Sequence, residues 1–232
     1  MMESGSISHR RRTRYSPRRV IWRKMRFTTT MLLQTLMAGL LCLCTVLPSA
    51  AQNPDAIATV DNLHAALLDI MRNADSLGFA GRRDQIAPVI RESLDLPFIA
   101  RFTLGRYWKD LSAEQQDTFV DVFSRWTVVH YASRFDGYSS EQFKTISSAP
   151  ARRGRELVRT VLEVNDDPAD DVSLDYLLHD TDGKWRVVNV IANGVSDLSL
   201  KRADYGALVG AQGLDSLIAK LEGQISDLEV GH

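Results

Sequence analysis

Cysteine is the first scarcity. The 232-residue chain has two, Cys42 and Cys44, and both fall in one apolar run near the N-terminus. Everything after residue 51 therefore lacks disulfides, thiol nucleophiles and cysteine metal ligands. Such a chain must hold together through its core alone, and about 180 residues suffice for one domain of that kind.

Patterns that carry chemistry are equally thin. His64, His130, His179 and His232 stand in no His-x-x-x-His spacing that would suggest zinc. The acidic run Asp166-Asp167-Pro168-Ala169-Asp170-Asp171 lacks the glycine and closing glutamate of an EF-hand loop and reads as a solvated turn. The glycines form no phosphate-binding loop. Ser196 follows Gly194-Val195, but Leu198 stands where a nucleophile elbow needs its second glycine. No metal, cofactor or catalytic residue is expected.

Positive charge is concentrated at the N-terminus. Nine of the 28 Lys and Arg precede residue 52, against one of the 29 Asp and Glu, which leaves residues 52–232 nine charges negative. That balance argues against nucleic acid, whose phosphates want a basic face.

The N-terminal composition has its own meaning. A basic segment from Arg10 to Arg26 precedes an apolar run from Met31 to Leu47, and Pro48-Ser49-Ala50-Ala51 follows. This is the order of a secretory signal, with Ser49 and Ala51 at the −3 and −1 positions of a cut after residue 51. The expectation is a signal peptide over 1–51 and one exported, periplasmic domain over 52–232. A permanent anchor is the alternative, but Gln34, Thr35 and Thr45 interrupt a run already short for a span.

Beyond the signal, helical spacing comes first. Asn53-Pro54 predicts a helix start, followed by Ile57, Val60, Leu63, Leu67 and Met71, with Gly78 and Gly81 as its end. A short helix with Ile86, Val89 and Ile90 follows, then one opened by Pro97. Ser112-Ala113-Glu114-Gln115 is a capping box for a long helix bearing Phe119, Val122, Phe123, Trp126 and His130. The period then switches to two over Leu157–Val164 and Val172–His179, with Asp182-Gly183 as a hairpin turn. A helical end carries Leu214, Leu217, Leu221 and Ile225 on one face. Helices, a meander, then helices again predict an α+β fold, with helices against one face of an antiparallel sheet.

Several segments together are similar to the MlaC-like, or toluene-tolerance, family of periplasmic lipid-binding proteins. Leu104-Gly105-Arg106-Tyr107-Trp108 precedes Ser112-Ala113-Glu114-Gln115-Gln116 and Phe119. Gly183-Lys184-Trp185-Arg186-Val187 precedes Gly194-Val195-Ser196, Arg202 and Tyr205. Asn189 departs from the aspartate more usual there, and the run Ser196–Tyr205 looks more like the hopanoid-associated branch. The resemblance implies a curved antiparallel sheet packed on helices around an apolar pocket. It implies a monomeric shuttle carrying a phospholipid or a hopanoid between an inner-membrane transporter complex and an outer-membrane partner.

A carrier must match the membrane it empties. Exposing a methylene to water costs roughly 0.8 kcal/mol, so a two-chain lipid stands to lose on the order of 20 kcal/mol. Large apolar side chains are the candidates for that lining: Phe98, Phe102, Trp108, Phe119, Phe123, Trp126, Tyr131, Leu174, Tyr176, Trp185, Val187 and Tyr205. Arg152, Arg153 and Arg155, with Lys201 and Arg202, are candidate contacts for a headgroup or an acidic partner. Two other readings stay open. A small enzyme would use Asp175, His130 or His179 as a buried acid or base. An adaptor of a membrane complex would bind no lipid and have a filled core.

Overall fold

The computed structural model describes residues 52–164 and 167–231; the segment read as a signal and Asp166 lie outside them. Helix α1 (Pro54–Arg72) starts as expected, with the Asn53 side chain accepting from the Ala56 amide and Pro54 in the first turn. It ends earlier than the glycines suggested. Asn73 closes it, and α2 (Ala74–Ser93) runs through both Gly78 and Gly81. Gly78 takes φ 58° and ψ −178°, a kink that only glycine accommodates, so that glycine bends a helix where a terminus was expected.

Helix α3 (Leu96–Leu104) is capped by Asp95, which accepts from the Phe98 amide at 3.0 Å, and a 3-10 turn over Gly105–Asp110 follows. Helix α4 (Ala113–Arg134) opens on the capping box: Ser112 and Gln115 satisfy each other's amides at 3.2 and 3.0 Å.

The strands are β1 (Gln142–Ala151), β2 (Arg155–Glu163), β3 (Val172–Thr181), β4 (Lys184–Ala192) and the two-residue β5 (Val195–Ser196). They form one open antiparallel sheet in chain order. Asp182 and Gly183 both take positive φ between β3 and β4, as a two-residue hairpin turn requires. Helices α5 (Asp197–Gln212) and α6 (Leu214–Val230) complete the chain. The expected α+β class, helices packed on an antiparallel meander, is the observed one.

Alternation decides which face is inside. Val158 and Thr160 of β2, Tyr176 and Leu178 of β3, and Val187 of β4 are buried, and α1 lays Val60, Leu63 and Leu67 into the same core. Burying each of these aliphatic side chains contributes about 1.5–3 kcal/mol. The Thr59 hydroxyl donates to the Trp185 carbonyl at 3.0 Å and fixes α1 along the sheet. Helix α4 packs on α6, where Arg125 reaches Glu222 at 3.0 Å. One edge of the sheet continues into the helices: Leu94 bridges Val187, and the Asp95 amide donates to the Val187 carbonyl at 3.0 Å.

Candidate functional site

Strand β4 is irregular where the helices meet it. Leu177 pairs with Asn189 but Leu178 with Val187, so Val188 is a bulged residue, and Val187 and Val188 are both buried. Against this bulge close the start of α3, the middle of α4 and the first turn of α5. Between them lies an apolar void of about 40 Å³, lined by Leu96, Ile99, Phe123, Trp126, Val187, Val190 and Leu198 among others. It has room for no more than a few water molecules. Ligand pockets of drug-sized molecules occupy about 300–1,000 Å³, so the sheet and helices meet here in a nearly closed seam.

The rim of the seam is polar. Lys201 pairs with Asp197 one turn earlier and holds its ammonium 5.1 Å from the centre of the Trp126 ring. His130 stacks on the same indole at 5.0 Å; that cover, with Lys201 nearby, lowers its pKa although much of the residue is open to solvent. The Tyr131 hydroxyl is held protonated by burial. Asn189 tethers α5 to β4 by accepting from the Leu198 amide and the Ser196 hydroxyl, both at 3.1 Å.

The expected lining residues divide among four places. Phe123, Trp126, Tyr131 and Val187 line the seam. Phe119 is wholly buried between helices, and Tyr205 is buried on α5. Tyr176 is buried under α1, its hydroxyl 2.9 Å from His64 Nε2, while Leu174 and Trp185 pack half-buried against the core. Phe98, Phe102 and Trp108 stand half-buried along open surface grooves beside α3. The seam also draws on Leu94, Leu96, Ile99, Thr127, Val188, Val190 and Leu198, which sequence reasoning did not single out. Their only signal is the ordinary period of core aliphatics.

The basic candidates separate as well. Arg152 and Arg153 are exposed in the β1–β2 turn, Arg153 at φ 65°. Arg155 lies 5.6 Å from the Phe98 ring centre. Arg202 lies 4.7 Å from that of Phe102 and donates to the Phe102 carbonyl at 2.9 Å.

The three acid–base candidates do not meet. Asp175 faces Arg159 at 4.0 Å on the sheet surface, His179 is held by Asp95 at 2.8 Å, and His130 stands at the rim of the seam. Among the described residues no group of three His, Cys, Asp or Glu side chains could hold a metal ion.

Fold and seam together define a class: a helix-covered antiparallel meander with a mostly apolar joint between sheet and helices. Within that class the chain belongs to the MlaC protein family, whose profile matches residues 61–223. A relative is the intermembrane phospholipid transport system binding protein MlaC of Haemophilus influenzae. It is 26% identical over 145 residues, which cover 60% of this chain and 64% of that protein. In fold the chain is similar to a phospholipid-binding protein from Ralstonia solanacearum, solved in complex with a phospholipid. The TM-score is 0.65 at 18% identity, over 75% of this chain and 99% of that one.

Proposed function

We propose that the protein is a lipid carrier of the cell envelope, exported by cleavage near residue 51, which takes up an acyl or polycyclic lipid in the seam between β4 and helices α3, α4 and α5. The carrying observation is the apolar joint itself, in a chain of this family. A mostly apolar lining suits a ligand that must be hidden from water along most of its length. A void of about 40 Å³ holds no lipid, so loading requires the helices to part from the strand. The bulge at Val188 and the sparse polar ties across the joint, Asn189 to α5 and the Asp95 amide to Val187, make it easier to open than the regular ladders beside it. The residues 52–232 then form the working domain, and a phospholipid or a hopanoid passes between membrane complexes that supply the energy.

The narrowness of the void favours one other reading, an adaptor that binds no lipid. Mass spectrometry of an organic extract of the purified protein separates them. Near-stoichiometric phospholipid supports an ordinary carrier, and a triterpenoid moves the ligand to the polycyclic class. A folded protein with no extractable lipid favours the adaptor.

A further inference from the structure

A second feature lies outside the seam, on the sheet face where His179 meets Asp95 and Phe98 at the start of α3. Arg155, His179 and Arg186 are direct neighbours across β2, β3 and β4, since Arg155 pairs with His179 and His179 with Arg186. Opposed residues of antiparallel strands project from one face, so the two arginines flank His179 there. Asp95 answers only His179. Arg186 keeps its Nε buried with no hydrogen-bond partner.

Helix α3 extends the row. Phe98 and Phe102 stack one turn apart at 6.2 Å. Arg155 and Arg101 lie 5.6 and 5.7 Å from the Phe98 ring, and Arg202 lies 4.7 Å from Phe102. Rings hold guanidiniums in place by cation–π attraction without consuming their N–H donors. Among the described residues neither Arg101 nor Arg155 has an ion pair. The grooves flanking this ladder add Trp108 and Lys109. In a chain nine charges negative after residue 51, one face thus gathers Arg101, Arg155, Arg186 and Arg202, none in an ion pair among the described residues, with half-buried aromatics between them.

We propose that this face docks the protein on an anionic lipid bilayer, its guanidiniums on lipid phosphates and its aromatic edges at headgroup level. Charge complementarity selects an acidic surface. The spread of the cations over a sheet row, α3 and α5, with aromatics between, fits a fluid interface better than a single bound anion. The inference stands on this surface and not on the seam, so it holds whether or not the seam carries lipid.

Vesicle co-sedimentation tests it, using the purified protein with neutral phosphatidylcholine vesicles and with vesicles containing phosphatidylglycerol. Binding is expected only to the anionic vesicles and is expected to weaken as salt rises. The double substitution Arg101→Glu and Arg202→Glu should lower the partition coefficient about tenfold or more. Lys220→Glu, on the exposed face of α6, should leave it unchanged. An unaltered thermal melt shows the double variant to be folded; should it be unfolded, Arg152→Ser with Arg153→Ser in the neighbouring turn and the salt series on the parent protein decide. Equal binding to neutral vesicles, or binding indifferent to salt and to these arginines, overturns the proposal. No sedimentation with anionic vesicles also overturns it and leaves the face to an acidic protein.

Discussion

His64 shows what burial does to one side chain. It is 4% exposed, stacks on Phe143 at 4.0 Å, and meets the Tyr176 hydroxyl at 2.9 Å. Desolvation lowers its pKa from 6.5 to about 4. In the unfolded chain the ring takes up its proton near the ordinary value, so between those two pH values the unfolded state binds more protons. Stability is then complete above about pH 6.5 and falls as pH drops toward 4, by on the order of 3 kcal/mol. Urea midpoints at pH 7 and pH 4.5 would register the loss, and His64→Gln should remove most of the difference. If that variant kept the parent's pH dependence, another group would be responsible. His64 falls within the helical stretch that Ile57 to Met71 mark in the sequence, and there it is packed and hydrogen-bonded. Its partner stands 112 residues away, and no local pattern encodes that distance.

At the scale of elements, the features legible in the sequence were those with local causes. The Ser112–Gln115 capping box, the Asn53 cap and the Asp182-Gly183 turn each depend on a few adjacent residues. The α1–α2 boundary was not legible, because Gly78 is compatible with both a terminus and a kink. Nor was the bulge at Val188, since Trp185, Val187 and Ile191 keep a period of two that conceals an added residue. Asn189, noted as a departure from the family, proves to be the tether of α5: one oxygen accepts from an amide and a hydroxyl. Asn189→Leu should destabilise the fold by about 1–3 kcal/mol through the two donors left unpaired, and hydrogen exchange should quicken at the Leu198 amide. Asn189→Asp should restore the tether. A leucine variant with parental exchange there would show that α5 is held by its apolar contacts alone.

For the whole molecule, the sequence conveyed the class of fold but not which apolar residues meet, and where the resemblance implied a pocket the structure has a void of about 40 Å³. Aromatics attracted attention by size, yet Phe98 and Phe102 arm the surface and Phe119 is plain core, while Ile99 and Val190 help shape the seam. Membership of the lining follows from how three helices converge on one strand, which is a tertiary property. Thr127 offers a test at this scale. It lines the void, and its hydroxyl donates only to the Phe123 carbonyl one turn back, at 2.8 Å. Thr127→Leu should fill the space, hold or raise the melting temperature, and reduce lipid recovered with the protein by about half or more. Unchanged recovery would mean that lipid does not pass through this joint. Vesicle docking should be untouched, because the basic face lies elsewhere.

The strand order carries a consequence for assembly. Because every strand neighbours its successor in the chain, the sheet closes only short loops as it forms, and such local contacts are the fast ones. Helices α3 and α4 precede the sheet in the chain and reach β4 across long separations, whereas α5 follows β4 within a few residues. The sheet can therefore form before α3 and α4 dock on it. The joint that α3 and α4 close would then be the one that the proposed passenger reopens.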